Sequence, residues 1–156
     1  MQGGDLMMDN KKQKRIENMK AKKLEADYHQ ACCYQYGIDG DVDYNKAFAF
    51  YRKCAMQGYA PAQNALGFMY LSGEGINRDD TLAFKWLKSA ADQDYAPALL
   101  NISYLYIDGI GTDIDVQKGL NCIYAAAKKG CDDARFTLES RIAECMGIDA
   151  ASIFGS

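Results

Sequence analysis

The chain has 156 residues, 49% hydrophobic and 25% charged, with six cysteines, two prolines and a net charge of −3. That is room for one ordinary domain with its own core, without the positive field that draws a whole chain to nucleic acid. No stretch approaches the roughly 18 consecutive apolar residues of a membrane span.

From the start, Met1-Gln2-Gly3-Gly4-Asp5 leads into a lysine-rich stretch with no apolar run of the kind a secretory leader needs. Residues 1–13 are therefore expected to be disordered, and the chain cytoplasmic with its six thiols reduced. Charge is uneven: residues 1–25 hold seven Lys and Arg against four acids, net +3, and residues 26–156 hold eleven against seventeen, net −6. The basic segment Lys11–Lys23 reads as a solvated helix whose Ile16, Met19 and Leu24 cap the open end of the domain. Its other reading is a contact with nucleic acid, an anionic membrane surface or an acidic partner.

The periodicity of apolar residues predicts helices over 14–36, 44–57, 60–71, 80–92, 96–107, 116–128 and 132–145, with 146–156 as a tail. Residues 60–95 laid over 96–131 match at nine of 36 positions without a gap, among them Pro61/Pro97, Tyr70/Tyr106, Gly73/Gly109, Gly75/Gly111 and Asp79/Asp115. The offset runs back into 24–59 through Tyr34, Gly37, Asp43, Ala47 and Ala55, and forward through Ala134, Leu138 and Ile142. A fixed period in this range means a stacked array of one helix-pair unit. Glycine at 37, 73 and 109 closes each first helix, and aspartate at 43, 79 and 115 caps each second one. Gly58 and Gly130 end the second helices, with Asp94 as the tolerated substitute. Pro61 and Pro97 suit a first helical turn. The fold expected is all-α: a single solenoid over 14–145, with repeats 24–59, 60–95 and 96–131 and a capping half-repeat 132–145.

The run Ala62-x2-Ala65-Leu66-Gly67-x2-Tyr70-x2-Gly73-x-Gly75-Ile76-x2-Asp79-x3-Ala83-x2-Trp86-x3-Ala90-Ala91 resembles the Sel-one-like repeat (SLR), a relative of the tetratricopeptide repeat. The resemblance implies a right-handed α/α superhelix serving as scaffold or adaptor for protein partners. Four positions depart from the pattern: Ser103 for the small glycine, Gly119 for the alanine, Cys122 for the aromatic, and Asp39 for the second loop glycine. A cysteine-rich secreted branch of the family bridges its helices at the columns of Ala91 and Leu99, which hold no cysteine here. That argues against the branch and its β-lactam binding and hydrolysis, which stands as the alternative function.

Candidate chemistry is sparse. His29, Cys32 and Cys33 share a helical face, but no second half-site completes a zinc set. Asp39-x-Asp41-x-Asp43-x-Asn45 opens like a calcium loop, yet Tyr44 and Phe50 stand where its glycine and glutamate belong. No catalytic residue, metal or cofactor is expected, and Cys54 reads as a small core residue in the column of Ala90 and Ala126. Partner contacts are expected from the first helices. Asn64, Phe68 and Leu71 point away from Ala62, Leu66 and Tyr70. Extended by the repeat, this gives a concave face of Tyr28, Asn64, Phe68, Leu71, Leu100, Tyr104, Ile107 and Phe136, suited to a peptide or helix of another protein. The competing reading buries these side chains between adjacent first helices.

Overall fold

The computed structural model describes residues 3–146, with side chains over 9–141. Among the described residues seven helices follow in chain order: α1 Gly3–Tyr36, α2 Tyr44–Ala55, α3 Ala60–Ser72, α4 Asp80–Ala91, α5 Ala96–Asp108, α6 Val116–Lys128 and α7 Asp132–Met146. No strand occurs among the described residues. Each helix packs on the next, so α1, α3, α5 and α7 form one layer and α2, α4 and α6 the other. This is an all-α solenoid.

Local chemistry sets the register. The side chains of Asp43, Asp79 and Asp115 accept the backbone N–H of Lys46, Leu82 and Lys118 at 2.9, 2.8 and 2.9 Å. Each caps an amide that its helix leaves free. The same three aspartates donate their own N–H to the carbonyls of Tyr34, Tyr70 and Tyr106. The turn between paired helices is thus tied at both ends. Gly37, Gly73 and Gly109 enter it with φ of 63, 73 and 69°, and Asp94 takes the left-handed conformation at φ 63° where the other repeats place glycine.

The core follows the repeat. Cys54, Ala90 and Ala126 are all fully buried, as are Leu66, Met69, Leu87 and Ile123. Aromatic pairs join neighbouring repeats: Phe48 meets Tyr70 edge-on at 5.9 Å, and Phe84 meets Tyr106 at 5.3 Å. The inter-helix loops form a row. A Cβ on Gly75 would lie 2.6 Å from that of Tyr44, and one on Gly111 would strike the Asp80 carbonyl. Each loop therefore rests on the start of the preceding repeat's second helix. Loop one has no such helix before it, which explains why Asp39 can replace glycine there.

Two expectations about the N-terminus need correction. Helix α1 starts at Gly3, not at 14 after a disordered lead, because residues 6–23 lack proline and are rich in Leu, Met, Lys, Arg, Gln and Glu, which all favour helix. Nor do Ile16 and Met19 cap the array. Met19 is 65% exposed, residues 9–23 are exposed throughout, and Leu24 is the first described side chain of α1 to reach the core. The helix outruns the layer it would pack on.

Candidate partner-binding face

Two polar contacts tie the first helices to one another. The Asn101 amide of α5 donates to Asn64 of α3 at 2.9 Å, and the hydroxyls of Tyr104 in α5 and Thr137 in α7 lie 3.2 Å apart. On the surface so formed, Phe68 is 50% and Tyr104 38% exposed, on successive first helices at the 36-residue offset. Phe136, 71% exposed, stands on α7 in the neighbouring column of Asn64 and Leu100, while the Phe68 column continues into Ser140.

The remaining residues expected on this face divide. Tyr28 is half-buried, its ring 5.6 Å from Tyr51 and 5.5 Å from Tyr59, and burial pushes its hydroxyl pKa well above the ordinary range. Asn64 is half-buried through its bond to Asn101. Leu71 packs on Leu87, Ile102 and Leu105. Two residues are corrections. Leu100 is only 8% exposed, clustered with Ile123 and Ala126 of α6 and Ala134 of α7. Ile107 points at α6, where a Cβ on Gly119 would come within 2.5 Å of its Cγ1, so it fills the space that residue leaves.

Sequence reasoning missed a second exposed surface. Tyr36, Ile38 and Val42 around loop one, and Ile114 and Val116 around loop three, are all exposed. Their signal lay in the columns: Val42 and Ile114 flank Arg78, while Tyr44 and Val116 flank Asp80. In the middle repeat those two pair as an ion pair at 2.7 Å.

The structure gives little support to nucleophilic chemistry. His29 Nδ1 lies 3.6 Å from the Cys33 sulfur, the one pairing of imidazole with thiol among the described residues. Burial and the neighbouring Asp39 push the Cys33 thiol up, and burial does the same to Cys54 and Cys122. A thiol held protonated is a poor nucleophile and a poor metal ligand. No group of three metal-binding side chains comes together among the described residues. Asp43 of the calcium-like run is already engaged, by the Lys46 amide and by its ammonium at 3.0 Å. Cys32, Cys33, Cys54, Cys122 and Cys131 are free thiols; Cys145 lies outside the described side chains.

The family model of the Sel1 repeat matches residues 24–59, 60–95 and 96–131, the windows of the 36-residue offset. The chain belongs to the Sel1 repeat family. A Sel1 repeat protein from Oxalobacter formigenes is 30% identical with a TM-score of 0.72, covering 83% of this chain and 54% of its own. A protective antigen with an SLR fold, present in uropathogenic Escherichia coli strains, is 26% identical with a TM-score of 0.73, covering 84% of this chain and 28% of its own. This Sel1 chain thus spans about half the length of the first and little more than a quarter of the second. Helicobacter pylori cysteine-rich protein B shares the fold alone, at 16% identity and a TM-score of 0.61, over 75% of this chain and 96% of its own. No curated protein matches the chain. Sel1 repeats are scaffolds for protein–protein interaction and are in general non-catalytic. No described helix is long and apolar enough to cross a membrane.

Proposed function

We propose that this Sel1 chain holds another protein along its layer of first helices, with Phe68 and Tyr104 as the central anchors and Phe136, of the neighbouring column, as a further contact on α7. The observation that carries this reading is the pair of large aromatic side chains left exposed at one column of successive repeats. Large rigid aromatics supply the most binding energy for the least ordering cost, and they concentrate at the centres of interfaces. The polar groups beside them are amides and hydroxyls bonded to each other, which suits a peptide or helix laid across the repeats.

The test pairs affinity with stability. Peptides selected from a random displayed library against the whole chain are titrated by calorimetry into the parent, Phe68→Ala and Tyr104→Ala. Affinity is expected to fall about tenfold or more for each variant. Urea unfolding is expected to move by less than about 1 kcal/mol, because neither side chain fills the core. Selected peptides that bind both variants as tightly as the parent would place the binding face elsewhere.

A further inference from the structure

The two ends of α1 carry charge of opposite sign, each with exposed apolar side chains beside it: Ile16 and Met19 at one end, Tyr36, Ile38 and Val42 at the other. At its N-terminal end the helix projects beyond the solenoid. Lys11, Lys12, Lys14, Arg15, Lys20, Lys22 and Lys23 form no ion pair among the described residues. At about 100° per residue, Lys11, Lys12, Arg15, Met19, Lys22 and Lys23 share one face, opposite the Leu24 side that packs on the core. Like charges three and four apart, such as Lys11 with Lys14 and Arg15, raise the energy of a bare helix. The arm is built to be neutralised.

The other end of α1 opens the row of loops. There Asp39, Asp41, Glu74, Asp108 and Asp113 stand without a cationic partner among the described residues. Between them lie the exposed Ile38, Val42, Ile114 and Val116. An acidic edge studded with aliphatic side chains matches a basic face that carries Ile16 and Met19. The lengths match too: Lys11–Lys23 spans on the order of 20 Å, and three loops on neighbouring repeats span about the same. Within one molecule the surfaces cannot meet, because α1 is one continuous helix with about 20 Å of it between Lys23 and Tyr36.

We propose that the basic arm of each chain docks on the acidic loop edge of a second copy, so that two chains pair reciprocally about a twofold axis and both contacts are made twice. A second copy fits better than a polyanion. The body behind the arm carries net −6 over residues 26–156, which repels phosphate chains but complements the arm of another molecule. The apolar side chains amid the cations also find aliphatic partners on a protein edge and none on a phosphate backbone.

The experiment is a charge swap read by sedimentation equilibrium on the full chain. The parent is expected to be a dimer in about 0.05 M salt and to dissociate at about 0.5 M, as screening removes the attraction. Lys11→Glu/Arg15→Glu/Lys22→Glu, on exposed helical positions, is expected to weaken association at least about tenfold, as is Asp39→Lys/Asp113→Lys. In either variant alone, like charges face each other at both contacts. In an equimolar mixture both contacts become attractive again, so a heterodimer is expected, and misfolding could not produce that rescue. A parent that stays monomeric at low salt, an arm reversal without effect, or a mixture that stays dissociated overturns the proposal. A parent that remains monomeric while sedimenting with phosphatidylserine vesicles or duplex DNA overturns it as well and assigns the arm to a polyanion.

Discussion

The second and third repeats solve one packing problem with different residues. In the second, Gly67 of α3 lets α4 approach: a Cβ there would sit 2.7 Å from Leu87 Cγ and 3.2 Å from the Ala83 carbonyl. In the third, the Gly67 column holds Ser103 and the Ala83 column holds Gly119. The small residue has moved to the other helix, and a Cβ on Gly119 would stand 2.9 Å from the Ser103 carbonyl and 2.5 Å from Ile107 Cγ1. Two departures from the repeat pattern, each unfavourable alone, complement one another. Close-packed interiors fix the distance between helix backbones, and either helix can yield the atom that stands in the way.

The loops offer the sharpest way to break the correspondence between repeats. Gly111→Ala puts a methyl against the backbone of Asp80 at a residue with φ 67°, where neither the clash nor the conformation can relax cheaply. A loss of about 3 kcal/mol or more is expected in urea unfolding, from strain and overpacking together. Asp39→Gly, the reverse change at the same column of the first repeat, is expected to move stability by less than about 0.5 kcal/mol, since no helix precedes that loop. Equal effects at the two positions would refute the stacking argument. The exchange of small residues is tested next. Gly67→Ser is expected to cost about 1–3 kcal/mol by overpacking, and Ala83→Gly about 1 kcal/mol through helix propensity. The double variant, which recreates the third repeat's pair inside the second, is expected to lose less than their sum by at least about 0.5 kcal/mol. Strict additivity would mean that Ser103 and Gly119 are unrelated substitutions.

Local features of this Sel1 chain were legible in its sequence because they are decided within a few residues: a capping aspartate, a left-handed glycine, a proline in the first turn. Helix faces were legible only to the accuracy of a 100° step. The column Asn64, Leu100, Phe136 shows the limit. Asn64 is partly covered through its bond to α5, Leu100 is buried in a cluster with residues of α6 and α7, and Phe136 is exposed with no described helix after α7 to cover it. One column holds a seam residue or a surface residue according to what lies next in the stack. Ile107 was misplaced for a related reason, since its direction depends on the missing side chain of Gly119 in another helix. At the N-terminus the limit was different. Apolar residues in a basic helix suggested a cap, but whether a helix end reaches its layer is set by the length of the neighbouring helix, α2, which the first helix cannot report.

The smallest expected difference between repeats lies in their caps. Asp43 and Asp115 are each followed three residues on by a lysine whose ammonium returns to the carboxylate, at 3.0 and 2.8 Å, while Asp79 is followed by Leu82. The backbone N–H and ammonium of Lys46 hold the Asp43 carboxyl below the usual aspartate range, and the ammonium and backbone N–H of Lys118 do the same for Asp115. A carboxyl with a folded-state pKa below its unfolded value contributes stability above the unfolded pKa, about 3.9 for aspartate, and loses it as pH falls through the folded value. Asparagine caps nearly as well but carries no charge to lose. The double variant Asp43→Asn/Asp115→Asn should therefore be less stable than the parent at neutral pH, and the gap should close on acidification below about pH 4. Urea midpoints for both proteins at pH 7 and pH 3, in low salt so that these exposed pairs are not screened, measure the gap directly. A gap that does not change with pH would mean that the two caps act through hydrogen-bond geometry alone, and that the lysines paired with them add nothing that Leu82 in the middle repeat lacks.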